Sequence, residues 1–232
     1  MQKRLALEEI YQLLIQAYGA QGWWPLTDLE QQRSIYNTAD SVTEKNPADQ
    51  LEIIIGAVLT QNTNWKNVVK ALINLKQDQL ISVEQLKRLE LQVLAEKIKP
   101  AGYFNQKALK IKRLVSLPRL PETREEWLSQ WGIGPETADS ILLYAFNQLH
   151  FVIDTYTQRI FTRIHPEFTN LRHYVQWQTY FQANLPENLV LYNEFHALLV
   201  YLGKKFCSKT NPVCAECVLK AGCHYSAANQ SL

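Results

Sequence analysis

The chain lacks any hydrophobic run approaching the ~18 residues that a membrane span requires. Its N-terminal stretch MQKRLALEEIYQLLIQAYG carries Glu8 and Glu9 where a signal peptide needs an unbroken apolar core. No membrane association and a cytosolic location are therefore expected. Strong charge of either sign is also missing, since 24 Lys and Arg oppose 22 Asp and Glu for a net +2. A balance this mild announces no polyanionic partner, so any such binding must come from local patches. There is no convincing strand alternation, no repeat of 20 to 50 residues and no low-complexity tract, which excludes solenoids. Cysteine is scarce, and all four residues, Cys207, Cys214, Cys217 and Cys223, fall in FCSKTNPVCAECVLKAGCHY.

What the chain has in quantity is apolar residues at helical spacing, 47% of 232, enough for one large core or two smaller ones. Leu5, Ile10, Leu13, Leu14 and Ala17 form one such series, Ile53, Ile54, Ala57 and Val58 a second, and Ile141, Leu142, Ala145 and Phe146 a third. An all-α fold follows, with loops at Gly102, Pro118, Pro121, Gly132, Gly134 and Pro166. Thr27 to Ala48 breaks the pattern with Asp28, Glu30, Asp40, Glu44, Lys45 and Pro47; it reads as a loop with one short helix around Leu29 to Tyr36.

The cysteines are spaced C-x6-C-x2-C-x5-C. In a reducing compartment such a cluster is read as metal ligands before disulfides. Four thiolates this close in sequence can surround one metal centre; zinc accepts four thiolates, but zinc ribbons usually present two close pairs and only one exists here. Lys204, Lys205, Lys209 and Lys220 lie on or beside the loop, where they could meet phosphates or merely keep the loop soluble. In LSQWGIGPETADSILLYAF, Gly132-Ile133-Gly134 permits a tight turn that brings N–H groups at a helix N-terminus close to an anion; a plain interhelical turn is the alternative. Asp154 follows the apolar triplet Phe151-Val152-Ile153 at a helix start, where an acid either caps the helix or does chemistry.

Hairpin, triplet with aspartate, and cysteine loop, in that order, resemble the helix-hairpin-helix DNA glycosylase superfamily, the endonuclease III-like proteins, from about Leu51 to Tyr225. The resemblance implies that Cys207, Cys214, Cys217 and Cys223 hold a 4Fe-4S cluster and that Asp154 is essential for catalysis. It also implies that Gln61, in IIGAVLTQNTNWKNV, fills the gap left by an extruded base, with Asn62 and Thr63 holding the turn. Lys107, with Lys110, Lys112 and Arg113 in AGYFNQKALKIKRL, would form a basic face. Gly132, Ile133, Gly134 and Lys209 would hold phosphates.

Bifunctional members carry a lysine two residues beyond the second hairpin glycine; Glu136 stands there, so the amine nucleophile is absent. The implied enzyme is a monofunctional glycosylase of base excision repair that hydrolyses the N-glycosidic bond of a flipped base. YGAQGWWPL, with Trp23, Trp24 and Pro25, is similar to the base pocket of the endonuclease III-like 3-methyladenine DNA glycosylase branch, and an aromatic wall suits a cationic alkylated purine. GAVLTQNT, FNQKA and Ala138 to Ala145 extend that likeness. The retained cysteine loop and the long polar segment depart from it.

The rivals are an endonuclease III-type glycosylase/AP lyase for oxidised pyrimidines, and a non-catalytic DNA-structure binder of the same fold. The implied architecture is two-lobed. Residues 49–153 carry the hairpin, and 1–48 plus 154–232 carry the cluster loop at 206–225. The implied partner is double-stranded DNA containing a damaged base, bound by a monomer located on the nucleoid. None of the five histidines is assigned catalysis; His196 is expected to be packed or hydrogen-bonded rather than a ligand, and His224, beside Cys223, could touch the cluster's surroundings. Glu136 and Glu194 are candidate second carboxylates near DNA, with surface exposure the commoner fate of such residues.

Overall fold

The computed structural model describes residues 4–39 and 42–229; Asp40 of the polar stretch lies outside them. Among the described residues the chain forms twelve α-helices and one two-stranded hairpin. No helix among them is long and apolar enough to cross a membrane. The chain divides into two compact units: one comprises Trp24–Asn37 and Thr43–Gln148, the other mainly the segment up to Trp23 and the chain from Leu149 onward. Residues 24–37, expected with the N-terminal lobe, thus join the middle of the chain.

The middle unit is built on α2 (Pro47–Leu59). Asn46 caps it by accepting N–H bonds from Ala48 and Asp49, and Pro47 occupies the first helical position. Every residue from Leu51 to Leu59 is buried, so beyond its exposed first turn the helix runs through the core with no solvent face. It packs against α3 (Trp65–Gln77), α6 (Phe104–Val115) and α8 (Pro135–Phe146). The short helices α4 (Val83–Arg88), α5 (Leu91–Lys97) and α7 (Arg124–Leu128) close the unit.

The helix expected around Leu29 to Tyr36 is instead a hairpin. β1 (Leu26–Asp28) pairs antiparallel with β2 (Arg33–Ile35), Thr27 opposite Ser34. Tertiary partners decide this. Buried Glu52 of α2 accepts the Thr27 N–H at 2.6 Å and pairs with Lys76 at 2.6 Å, while Lys76 donates to the Thr27 carbonyl at 2.5 Å. The backbone of β1 is therefore satisfied by side chains of α2 and α3, which a local helix could not arrange. Trp24 seats the same segment: it is 7% exposed and meets Trp65 and Tyr144 at ring separations of 5.3 and 5.5 Å. A Cβ on Gly56 would come within 3.2 Å of this indole, so the mid-helix glycine makes room for it.

The second unit holds α1 (Leu7–Tyr18), α9 (Thr155–Ile164), α10 (Tyr174–Ala183), α11 (Leu189–Lys205) and α12 (His224–Asn229). Its core is aromatic, with Phe151, Phe161, Phe181 and Phe195 in mutual contact and fully buried. Phe151-Val152-Ile153 is extended and buried, and its polar backbone is met by side chains of α10. Gln182 accepts the Phe151 N–H, Gln178 donates to the Phe151 carbonyl, and the Tyr174 hydroxyl accepts the Ile153 N–H. That anchoring delivers Asp154 to the start of α9.

Candidate active site

Asp154 uses its two oxygens differently. Oδ1 accepts the Thr157 N–H at 2.7 Å and caps α9; Oδ2 faces His196 Nε2 at 3.7 Å. The carboxylate is 7% exposed and the imidazole 4%. Burial pushes the Asp154 carboxyl up, but His196 and the Thr157 N–H more than offset it and hold it below the usual carboxylate range. Cap and charged site are the same residue.

Trp23 closes on this pair. Its ring stands edge-on to His196, 6.2 Å away at 88°, and the Lys204 ammonium lies 5.8 Å from its centroid. Burial pushes the Lys204 amine down while Asp154 pulls it up, so the ammonium senses the carboxylate. His196 and Lys204 are eight residues apart on α11, little more than two turns. Glu194, expected at the surface, is buried and accepts the N–H groups of Gln21 and Gly22 at 2.5 and 3.0 Å, fixing the bend that presents Trp23. Gly22 adopts φ +66°, which glycine tolerates without strain.

Trp24 and Pro25 do not share this setting. Both are buried in the middle unit, where Trp24 fills the core against Gly56, Trp65 and Tyr144. Of the expected aromatic wall, Trp23 belongs to the unit of Asp154, where it meets His196. His196 was expected to pack and does, yet it packs against the carboxylate. Its spacing from Lys204 was the available signal, hidden because α11 is apolar on nearly every side.

In the middle unit, Gly132 (φ +79°) and buried Ile133 form the turn between α7 and α8, and Gly134 caps α8 with Pro135 next. A Cβ on Gly132 would meet Lys110 at 2.4 Å, whereas one on Gly134 would meet nothing of the chain, leaving that face open. The half-buried Gln61 binds to this turn. Its Nε2 donates to the Gly132 carbonyl and to Thr137 Oγ1, and its Oε1 accepts from Lys110. Asn62 is exposed in the left-handed region at φ +55°, where Asn is at home. The turn is braced below by buried Asp139, which takes a two-pronged ion pair from Arg124 at 2.6 and 3.1 Å. Beside it lies an open groove of about 390 Å³ whose lining includes Lys110, Arg113, Gln130 and Trp131 and no carboxylate. Trp131 is 49% exposed, with Arg113 stacked 4.5 Å from its ring.

Lys107, expected on the basic face, is a correction. It is 2% exposed, and its Nζ donates to the carbonyls of Leu59 and Ala101, each at 2.9 Å. Burial first, and Lys110 second, push its amine down to about 8. Helix periodicity turns this position inward, where an ammonium serves the Leu59 carbonyl at the end of α2 and the Ala101 carbonyl of the turn before α6. Lys112 does the same for α4, donating to Leu86, Lys87 and Leu89 carbonyls. Arg113 and the half-buried Lys110 remain at the groove.

The four cysteines are free thiols, each half-buried. Burial pushes Cys217 up to about 11, with Cys207, Cys223 and Cys214 adding to the shift, so the four act on one another. Among the described residues no three Cys, His, Asp or Glu converge on a point as a single ion requires. Arg163 donates to Cys207 Sγ and to the carbonyls of Ser208 and Lys209, and Arg159 to those of Cys207 and Gly203. These cations of α9 tie the loop down. The Lys209 side chain is exposed.

The family model of HhH-GPD superfamily base excision DNA repair proteins matches residues 55–179. A Methanocaldococcus jannaschii protein, whose name places it provisionally among DNA repair glycosylases, is 36% identical over 230 residues, covering 93% of this chain and 94% of its own. The H. pylori 3-methyladenine DNA glycosylase, solved bound to 1,N6-ethenoadenine, is 27% identical with a TM-score of 0.69 over 87% of this chain and 98% of that one. Endonuclease III in a non-covalent DNA complex, 19% identical, shares the fold with a TM-score of 0.74 over 98% and 100% of the two chains. The family match spans more than half of the chain and takes in Gln61, the hairpin and Asp154. This chain therefore belongs to the helix-hairpin-helix (HhH-GPD) superfamily of base excision DNA repair glycosylases.

Proposed function

We propose that the protein is a monofunctional glycosylase that hydrolyses the N-glycosidic bond of an alkylated purine, such as 3-methyladenine, flipped out of duplex DNA. The observation that carries this is the buried, ionised Asp154 beside a single aromatic face, Trp23. As the base departs, positive charge grows on the sugar, and a fixed carboxylate in a desolvated site stabilises it. An alkylated purine already bears a positive charge and leaves without a dedicated acid. The Trp23 π-face attracts such a base by ~0.5 to 2 kcal/mol beyond stacking. The likeness to a 3-methyladenine glycosylase supports the same substrate class.

The middle unit would hold the DNA. Gly134 leaves the first turn of α8 open to a phosphate. The carboxylate-free groove with Lys110, Arg113 and exposed Trp131 suits the flanking strand. For Gln61 to enter the duplex, its amide would release Gly132, Thr137 and Lys110. Lys209 offers an exposed cation on the cysteine loop.

Cys207, Cys214, Cys217 and Cys223 would hold a 4Fe-4S cluster. Four half-buried thiols in one short loop, at the spacing of the family's cluster-binding cysteines, support this, and Arg163 donates to the Cys207 sulfur, placing positive charge at a thiolate donor. When bound, the cluster cross-links the loop; hydrolysis at Asp154 does not pass through it.

A second reading, glycosylase with strand cleavage, draws on one observation. Lys204 carries a depressed amine near Asp154 although Glu136 replaces the family's lysine. Anaerobically purified protein and Asp154→Asn are incubated with methylated duplex DNA and the released bases are separated. Release of 3-methyladenine by wild type alone, with breaks only after alkali, supports the first reading; a covalent adduct trapped by borohydride moves it to the second. Absence of release from methylated DNA sinks the substrate assignment.

A further inference from the structure

We propose that His196 is the positioning residue that keeps Asp154 ionised in its buried setting. The inference rests on reading Asp154 as the catalytic carboxylate. An aspartate only 7% exposed loses most of its hydration, and the resulting penalty favours its neutral form, which could not stabilise a cationic sugar. Something in the fold must oppose that penalty. The Thr157 N–H takes Oδ1, as an ordinary helix cap does. Oδ2 is turned to His196 Nε2, 3.7 Å away and equally enclosed.

The other titratable groups around the pair have different engagements. Lys204, further along α11, lies against the Trp23 ring, and its ammonium, although it feels the Asp154 charge, is placed on that ring and not against Oδ2. Tyr156 of α9 is a phenol pushed up first by burial and then by Asp154. Glu194 of α11 is occupied by the Gln21 and Gly22 N–H groups, and Tyr11 of α1 is pushed up first by burial and then by Glu194. His196 is thus the enclosed basic side chain that faces Oδ2. Trp23, edge-on to the ring, links the orientation of the imidazole to the aromatic face that would receive the base.

The test compares wild type, His196→Gln and His196→Leu. Glutamine keeps a hydrogen-bond donor without a titratable charge; leucine keeps only bulk. Protein with ¹³C-labelled aspartate carboxyls is titrated by NMR, the Asp154 resonance being assigned by its loss in Asp154→Asn. Single-turnover base release from methylated DNA is followed over the same pH range. The Asp154 inflection is expected to rise by about one pH unit or more in His196→Leu and by less in His196→Gln, with the acid limb of the rate profile moving in step. An unmoved inflection in folded variants, or a rate loss uniform at all pH, overturns the proposal. If His196→Leu does not fold, His196→Gln decides. If wild type releases no base, the glycosylase reading fails while the carboxyl titration still judges His196.

Discussion

Asp154 performs two tasks with two oxygens, and substitution separates them. Asp154→Ala removes the acceptor of the Thr157 N–H, a cap 2.7 Å long in a buried site. Such a loss costs about 0.5 to 2 kcal/mol. For a chain of this size each kcal/mol lowers the melting temperature by about 2 to 4 °C, so a drop of roughly 1 to 8 °C is expected. Asp154→Asn retains a capping oxygen and should melt closer to wild type. What it loses is the charge. The depressed Asp154 carboxyl contributes stability that is present above its unfolded pKa and lost as pH falls through the folded value, so the gap between wild type and Asp154→Asn should close on acidification. In the rate the two variants should look alike. Removing a fixed charge opposite a developing one costs at least what one oxyanion donor is worth, ~10²-fold or more. Thermal melts and single-turnover base release measure the two quantities independently. Asp154→Asn retaining more than about a tenth of the wild-type rate, or Asp154→Ala as stable as Asp154→Asn, would refute the reasoning.

Lys107→Met strips the donor from two buried carbonyls and should destabilise by about 2 to 5 kcal/mol without weakening DNA binding by the folded protein. Because the folded amine titrates near 8 and the unfolded one higher, the unfolded chain binds more protons between those values. Wild-type stability therefore rises with pH across that window, and the variant, followed by urea melts, should lack the rise. Trp24→Ala should cost about 3 to 5 kcal/mol as a core cavity, whereas Trp23→Ala should slow base release with a smaller change in melting temperature; equal losses of stability would contradict their assignments. Substituting Arg113 and Trp131 together by Ala should weaken DNA binding and flatten the slope of log affinity against log salt by about one, as expected for one lost phosphate contact. An unchanged slope would remove the groove from the DNA-binding surface.

Several features were legible in order along the chain because their physics is local. The cysteine spacing, the two hairpin glycines and the aspartate after an apolar triplet each depend on near neighbours: a short loop, a φ of +79° at Gly132, a cap at the start of α9. The helical character followed from apolar spacing in the same way. Tertiary structure decided everything that depends on which side of a helix meets which partner. It buried Lys107 under the end of α2, though sequence grouped it with Lys110 and Arg113. It drew a polar segment into a hairpin because Glu52 and Lys76 satisfy the β1 backbone from distant helices. It gave Trp23 and Trp24 different partners, the first the His196 ring and the second a core hollowed by Gly56. And it set His196, a polar residue buried in a largely apolar helix, against Asp154, because burial makes a carboxylate depend on whatever charge the fold brings within reach.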